Sequence, residues 1–387
     1  MTDLELKKLL QKGEDSQHQF KQSITNGNAL ATEMVAFSNS IGGTLFIGVN
    51  DCGEIVGMSD DQLSTLNQLV ANTASQSVRP PINPMTENIM TEKGLVMLVS
   101  VPRGINKPYM DAQGFFWVKS GSDKRRVTAR EEIQRMYQSA NLLHADAVTV
   151  AGMGIESLDR DYFNQFVLKQ YGDLPEDLEL SCAELLTNMN LMQGGEFNIA
   201  GALLFSKIPQ FKLPVFTVKA VAYPGNDIHL ETYIESQEIT GKLESVFNEA
   251  LAFLLRQLRR VQNQQNVNSE GELEIPKSAL EELLINALIH RDYFISASIR
   301  LFVFDDRIEI ISPGHLPNSL TIEHIKNGNS NIRNPVLASF AAKILPYRGL
   351  GNGIRRAIKA YPAIDFIDDR DGNLFKVVIK RQAFLAA

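Results

Sequence analysis

Pro-Lys-Ser-Ala-Leu-Glu-Glu-Leu-Leu-Ile-Asn-Ala-Leu-Ile-His-Arg-Asp-Tyr, residues 276–293, is the stretch on which the reading of the chain turns. Ser278 followed three residues on by Glu281 is a capping-box pattern, in which each side chain satisfies a backbone donor left open at a helix start. Leu280, Leu283, Leu284, Ala287 and Leu288 then recur at helical spacing and predict a buried stripe. Glu282, Asn286 and His290 fall outside that stripe but stand four apart, so a helix lines them up on one adjacent face. A solvated ladder is one reading of that face, and the lip of a polar site is the other.

The downstream sequence favours a site. Residues 298–311 read as two strands turned at Asp305-Asp306. Ser312-Pro313-Gly314-His315-Leu316-Pro317 follows as a sharp loop, and Gly349-Leu350-Gly351-Asn352-Gly353-Ile354 runs directly into a helical pattern from Arg355 to Tyr361. A glycine loop that opens onto a helix N-terminus presents bare N–H groups to an anion, and phosphate is the common guest. A dinucleotide fingerprint does not fit, because the third glycine falls one position early and Ala341 to Leu345 reads as helix rather than strand. No lysine follows at the position a P-loop needs.

Helix with Glu and Asn, hairpin, glycine turn, glycine loop, helix: this order over residues 196–380 resembles the GHKL ATP-binding fold. It is most similar to the divergent GHKL-like domain that follows a Schlafen/AlbA-like domain in bacterial transcriptional regulators. The resemblance implies Glu282 as the general base that polarises water. It implies Asn286 as the Mg²⁺ ligand that ties the metal to the phosphates of ATP. Ser312, Pro313 and Gly314 match its first glycine box, and Gly349, Gly351 and Gly353 its second. His290-Arg291-Asp292-Tyr293 and Arg333-Asn334-Pro335 also recur in this branch, which adds His290 and Arg333 to the cofactor-binding candidates. Arg333 has two readings, a phosphate contact or a helix cap. His290 and His315 lack a partner at metal-ligand spacing, so a hydrogen-bonded structural role competes with ligation. One departure stands out: the GHKL first box begins with an Asp that accepts from the adenine amino group, and here Ser312 occupies that place.

With 387 residues, 44% apolar and 21% charged, the composition is that of a globular protein of two or three domains. The net charge of −7 repels nucleic acid overall, so any such contact must come from a local basic patch and be salt-dependent. Cys52 and Cys182 show no metal spacing and fit a reducing compartment. The N-terminus lacks an apolar signal core and no stretch is long enough to span a bilayer, so a cytoplasmic, membrane-free protein is expected.

Residues 1–140 read as an α+β domain. Thr2 and Glu5 cap a first helix, a second covers Asn28 to Ser40, and Gly42-Gly43 feeds the apolar strand Thr44 to Val49. A third helix from Asp60 to Gln76 ends at Arg79-Pro80-Pro81, before strands at 85–90, 95–101 and 115–119 and a helix over 129–139. Val35-Ala36-Phe37-Ser38-Asn39-Ser40, Gly42-Gly43, Phe46-Ile47-Gly48-Val49, Ile55-Val56-Gly57 and Val118-Lys119-Ser120-Gly121-Ser122 resemble the Schlafen/AlbA-like domain. That resemblance implies DNA as the first partner and RNA as the second. Some Schlafen relatives cut RNA with three carboxylates on a metal; Glu14 and Asp51 match two, but Gln19 holds the third position. An amide lacks the anionic oxygen a hard cation takes, so binding rather than cutting is expected. Lys21, Lys119, Lys124, Arg125 and Arg126, interleaved with Phe116 and Trp117, are the nucleic-acid-binding candidates. The alternative is a solvated charged face with Trp117 in the core.

Residues 141–195 read as a helical connector, with a loop at 151–154 and helices over 158–171 and 182–189. Residues 196–205 turn into a strand, 216–223 form another, and Gly241 to Gln262 predicts an amphipathic helix of about six turns, core or dimer seam. Gln262 to Gly271 reads as an exposed loop. Residues 196–387 are then expected as a GHKL-like α/β sandwich, helices on one face of a mixed sheet. The sequence stops at Ala387, soon after the strand Leu374 to Lys380, so no winged helix-turn-helix reader is expected. Three functions fit: a nucleotide-responsive, homo-oligomeric transcriptional regulator holding ATP and Mg²⁺ in a degenerate site; an ATPase or metal-dependent nuclease of defence or stress; and an assembly protein with a dead nucleotide site. Weak ATP turnover would rest on Glu282.

Overall fold

The computed structural model describes residues 2–381 except 141, 176, 178, 229–230, 262–270, 318–319, 348 and 350. The chain divides into two compact units, Met1–Leu143 and His144–Ala387.

The first unit runs α1 (Asp3–Leu10), β1 (His18–Lys21), α2 (Gly27–Asn39), β2 (Gly43–Ile47), α3 (Asp60–Asn72), β3 (Val78–Arg79), β4 (Met85–Thr91) and β5 (Gly94–Val101). It closes with β6 (Met110–Asp111), β7 (Trp117–Ser120), β8 (Asp123–Arg126) and α4 (Arg130–Ser139). A sheet in the order β1-β2-β5-β4 has β1 parallel to β2 and the other pairs antiparallel. Because strand side chains alternate, Leu45, Ile47, Met97 and Val99 pack with Leu30, Met34 and Phe37 of α2, while Phe46, Val96 and Leu98 meet Leu6 and Leu10 of α1. A strand covered on both faces is apolar throughout, which is why Thr44 to Val49 is legible as a buried strand. The expected Thr2–Glu5 capping box is present. The strand Asp123–Arg126 was not expected, since Asp-Lys-Arg-Arg carries no apolar alternation; it pairs antiparallel with β7, Lys119 opposite Lys124 and Trp117 opposite Arg126.

The second unit continues with β9 (Thr149–Gly154), α5 (Arg160–Tyr171), α6 (Cys182–Asn188), β10 (Met192–Gln193), β11 (Glu196–Asn198), α7 (Ile199–Phe205), β12 (Val218–Ala222), β13 (Glu235–Ile239) and α8 (Leu243–Gln257). Then come β14 (Arg260–Val261), β15 (Glu272–Leu273), α9 (Lys277–His290), β16 (Ile299–Val303), β17 (Arg307–Pro313), α10 (Ile322–Lys326), α11 (Pro335–Ile344), α12 (Gly353–Ala360), β18 (Ile364–Asp369) and β19 (Leu374–Lys380). Among the described residues a six-stranded sheet has the order β13-β12-β16-β17-β19-β18, with β12 and β16 parallel and the other neighbours antiparallel. Leu301, Val303, Ile308 and Ile310 point to the helices, in one continuous core with residues of α5, α7, α8, α9 and α11. On the opposite face Phe302, Phe304 and Ile311 form a small cluster with Tyr223 and Leu374. Helices on one face of a mixed sheet is the expected architecture, and the protein is α+β throughout.

Several local expectations need correction. Ile199 to Phe205 is a helix, not a strand: all seven residues are buried and Asn198 caps it by accepting from the Gly201 N–H at 2.8 Å. A short wholly apolar run carries no period to decide between the two. Residues 151–154, read as a loop from their glycines, lie in β9 and pair with β11. The stretch 144–195 shares the core of the unit through Val150, Met153, Phe163 and Leu186. Helix α8 ends at Gln257 rather than Gln262; Leu243, Val246, Phe247, Ala250, Leu251 and Leu254 face this core. Most of the loop predicted from Gln262 to Gly271 lies outside the described residues. The Ser278–Glu281 capping box is absent: Pro276 is the N-cap, without a side-chain cap bond, and Glu281 pairs with Lys277 at 3.3 Å. Proline's preset φ starts the helix two residues early, which moves Ser278 into the first turn. Finally, Arg381 closes the unit, its buried guanidinium bonded to Glu274 Oε1, the Phe304 carbonyl and the Gln257 carbonyl at 2.6–3.0 Å.

Candidate functional site

Helix α9 turns Leu280, Leu283 and Leu284 into the core and leaves Glu282, Asn286 and His290 along one wall of a cleft. The sheet supplies the floor through Ile310, Phe366, Phe375 and Val377. Ser312, Gly314 and His315 form one end, and Gly349, Gly351 and Gly353 with Arg356 form the other. The structure thus brings together Glu282, Asn286, His290, Ser312, Gly314, Gly349, Gly351 and Gly353, from segments some seventy residues apart in sequence. Leu350, in the same glycine stretch, lies outside the described residues.

Glu282 is nearly buried and fully engaged. Its Oε1 accepts from Asn286 Nδ2 at 3.0 Å, and its Oε2 accepts from Arg356 Nη2 at 2.6 Å. Asn286 Nδ2 also donates to the Glu282 carbonyl at 2.7 Å, which fixes the amide one turn along the helix. Arg356 was not singled out in the sequence; its signal was a cation at the fourth position of the helix that the glycine loop opens. Gly353 is a close-approach glycine, since a Cβ there would lie 1.6 Å from Glu282 Oε1. The carboxylate therefore sits against the N-terminus of α12, where no side chain caps the first turn and the helix dipole favours negative charge.

The other candidates divide by what their atoms do. His290 lines the cleft, and burial together with the Arg333 charge pushes its pKa down to about 4, so the imidazole is neutral. Ser312 donates its hydroxyl hydrogen to the Ala287 carbonyl at 3.1 Å, which bolts strand β17 to α9. Arg333 lies behind the cleft wall: its guanidinium donates to the His315 carbonyl at 2.7 Å and the His290 carbonyl at 3.4 Å. Its neighbour Asn334 donates to the Ile289 and Arg291 carbonyls, capping the end of α9. Gly314, at φ +95°, admits this guanidinium, since a Cβ would come within 2.5 Å of Arg333 Nη1. Of the two readings of Arg333, the geometry gives a backbone clamp.

These residues fit a nucleotide. An apolar floor suits a base, and a glycine loop ending at an uncapped helix N-terminus suits phosphates. Mg²⁺ fits in a narrower way. Among the described residues no group of three or more His, Cys, Asp or Glu could hold a metal ion. The side-chain oxygen of Asn286 is one protein ligand the cleft offers to a cation carried on phosphates, the usual manner of Mg²⁺ binding.

In the first unit the basic candidates are mostly engaged. Lys119 Nζ, half-buried, donates to Gln19 Oε1 at 2.6 Å and to the Ser122 carbonyl, and burial lowers its pKa. Gln19 in turn donates to Glu14 Oε1 at 2.8 Å. Lys124 pairs at 2.6 Å with Glu33, which is buried. Arg125 forms a two-pronged pair with Glu132 on the surface, and Arg126 covers the Phe115 ring at 3.2 Å from its centre. Lys21, at the end of β1, is partly buried. Trp117 is no exposed stacking platform: its indole N–H donates to Asp111 Oδ2 at 2.8 Å and the ring packs on the core, while Phe116 is buried.

No helix among the described residues is long and apolar enough to cross a membrane. Comparison with known proteins matches residues 14–128 to the family described as "Schlafen, AlbA_2". Residues 296–377 match the one described as "Putative ATP-dependent DNA helicase recG C-terminal". No curated protein matches the chain. Among solved structures, the DIP2311 protein from Corynebacterium diphtheriae is similar at 19% identity and a TM-score of 0.47, over 98% of this chain and 80% of that one. The N-terminal domain of a RecG-related protein from Nitrosomonas europaea is similar at 20% identity and a TM-score of 0.23, over 34% of this chain and 96% of that one. The protein is thus one whose first unit carries a Schlafen/AlbA_2 domain and whose second carries a HATPase-type domain of the RecG C-terminal kind.

Proposed function

We propose that the protein is a nucleotide-responsive nucleic-acid-binding regulator of transcription, acting in the cytoplasm as a homo-oligomer. The second unit holds ATP with Mg²⁺, and the first unit binds DNA or RNA. The observation that carries this reading is the cleft itself, lined by Glu282, Asn286, Gly349, Gly351 and Gly353 over an apolar floor. Asn286 would hold the ion through its amide oxygen, the loop and α12 the phosphates, and Glu282 would polarise water. Both Glu282 oxygens already accept from Arg356 and Asn286, so an attacking water has to compete with one of these partners for the carboxylate, which favours sensing over fast hydrolysis.

The nucleic-acid surface centres on the β7–β8 hairpin. Arg125 and Arg126 are its exposed cations, one paired with Glu132 and the other lying over Phe115. An exposed pair such as Arg125–Glu132 holds about 0–1 kcal/mol, so a phosphate can readily replace the carboxylate. Lys119 and Lys124 support the hairpin from inside.

Titration calorimetry with ATP and Mg²⁺ on the full chain tests the nucleotide part. Binding is expected for the wild type and a clear loss for Asn286→Ala. Heat from neither would overturn the reading and leave an assembly role. Phosphate release compared between wild type and Glu282→Gln then tests turnover, and equal rates would remove Glu282 from the base role.

A further inference from the structure

The Arg356–Glu282 pair is more than a surface contact. Glu282 is 7% exposed, and its two oxygens are held by one cation and one amide. Arg356 comes from the first turn of the helix that the glycine loop opens, so it stands at the phosphate end of the cleft. It also stands on a boundary. The cleft and a second, more open cavity lined by Ser278, Glu281, Leu345 and Pro346 share three residues, Glu282, Tyr347 and Arg356. The ion pair is therefore part of the wall between them.

A guanidinium that faces a carboxylate on one side and a phosphate-binding loop on the other has two anionic acceptors to choose from. A terminal phosphate carries more charge than a carboxylate and offers more acceptor oxygens, and a diphosphate has one phosphate fewer with which to reach the guanidinium. We propose that Arg356 is the residue that tells a nucleoside triphosphate from a diphosphate: it exchanges Glu282 for the terminal phosphate, and in doing so leaves the Glu282 carboxylate held by Asn286 alone. This rests on the nucleotide reading of the cleft and goes beyond it, because it assigns the discrimination to one side chain and makes Glu282 its competitor. Glu282 would thus weaken triphosphate binding while Arg356 strengthens it.

The test is calorimetric titration of the full chain with Mg²⁺ and either ADP or a non-hydrolysable ATP analogue. Arg356→Ala is expected to lose about tenfold in affinity for the triphosphate, the worth of one charge-assisted hydrogen bond, with ADP affinity little changed. Arg356→Lys should recover part of that loss. Glu282→Gln removes the competing anion and should bind the triphosphate several-fold more tightly. The double variant Arg356→Ala with Glu282→Gln, which leaves no unpaired carboxylate in the wall, should show neither the gain nor the preference, and its thermal melt checks that the unit is folded. Equal losses for ADP and the triphosphate in Arg356→Ala, or weaker triphosphate binding in Glu282→Gln, would overturn the assignment while sparing the nucleotide site. A wild type that binds neither nucleotide would remove the site and the assignment together.

Discussion

Gly353 and His290 show how single residues set the terms of the cleft. At Gly353 only a hydrogen fits beneath the Glu282 carboxylate, and that carboxylate is tethered by Arg356 and Asn286. Gly353→Ala should therefore destabilise the second unit by roughly 1–3 kcal/mol through overpacking, with a helix-propensity gain of about 1 kcal/mol offsetting only part. A urea midpoint unchanged or raised would contradict that close approach. His290 makes a pH prediction. Its folded pKa of about 4 lies below its ordinary 6.5, so between these values the unfolded chain binds the proton that the folded one refuses. Stability tied to His290 is then complete above pH 6.5 and is lost as pH falls toward 4, by up to roughly 3 kcal/mol. His290→Gln should show a shallower decline between pH 7 and pH 4.5 in chemical denaturation. Both residues were legible in the sequence, His290 by its four-residue spacing and Gly353 by its place in a glycine loop. Arg356 was not, because a cation in the first turn of a helix is usually solvated and nothing local marks the carboxylate it will meet from seventy-four positions earlier.

Among the elements, the β7–β8 hairpin decides how the basic residues should be read. Lys124 and Arg125 are neighbours in sequence, yet strand alternation sends Lys124 inward to buried Glu33 and Arg125 outward to Glu132. Removing one partner of a buried pair leaves an unpaired charge at about 3–5 kcal/mol, whereas an exposed pair is worth about 0–1 kcal/mol. Lys124→Ala should thus lower the thermal midpoint of the first unit markedly, and Arg125→Ala should leave it nearly unchanged while weakening nucleic-acid binding at low salt. Matching melts for the two variants would show that the Lys124–Glu33 pair carries no structural weight. The second strand of the hairpin was hidden in the sequence because polar strands lack the alternation that marks a half-buried one, whereas its first strand was expected at 115–119. Helix α7 was hidden for the opposite reason: Ile-Ala-Gly-Ala-Leu-Leu-Phe is apolar on every side, so only the Asn198 cap distinguishes it from a strand. Helices α1, α2, α3, α5 and α6 were legible from a side-chain cap together with apolar residues, and α9 from its apolar spacing although its expected capping box is absent.

For the molecule as a whole, each unit owns its core: Leu30, Met34, Phe37 and Ile47 in one, Phe163, Phe205, Phe253 and Leu284 in the other. Fragments 1–143 and 144–387 should each give a cooperative melt when expressed alone, and a fragment that stays unfolded by circular dichroism would show that its core is incomplete. The α+β class and the helix-covered mixed sheet were legible because motif order outlasts local ambiguity, whereas the pairing of 149–154 with 196–198 was not, since short strands closed across forty residues leave no local mark. The Arg381 clamp at the far end of the second unit has a consequence of its own. One guanidinium there fastens the end of α8, the β16–β17 turn and the β15 margin to the final strand. Glu274 has no exposed side-chain surface beneath it. Cutting the chain on the amino side of that arginine would therefore strand an anion in a greasy interior, so the domain should collapse abruptly rather than loosen by degrees.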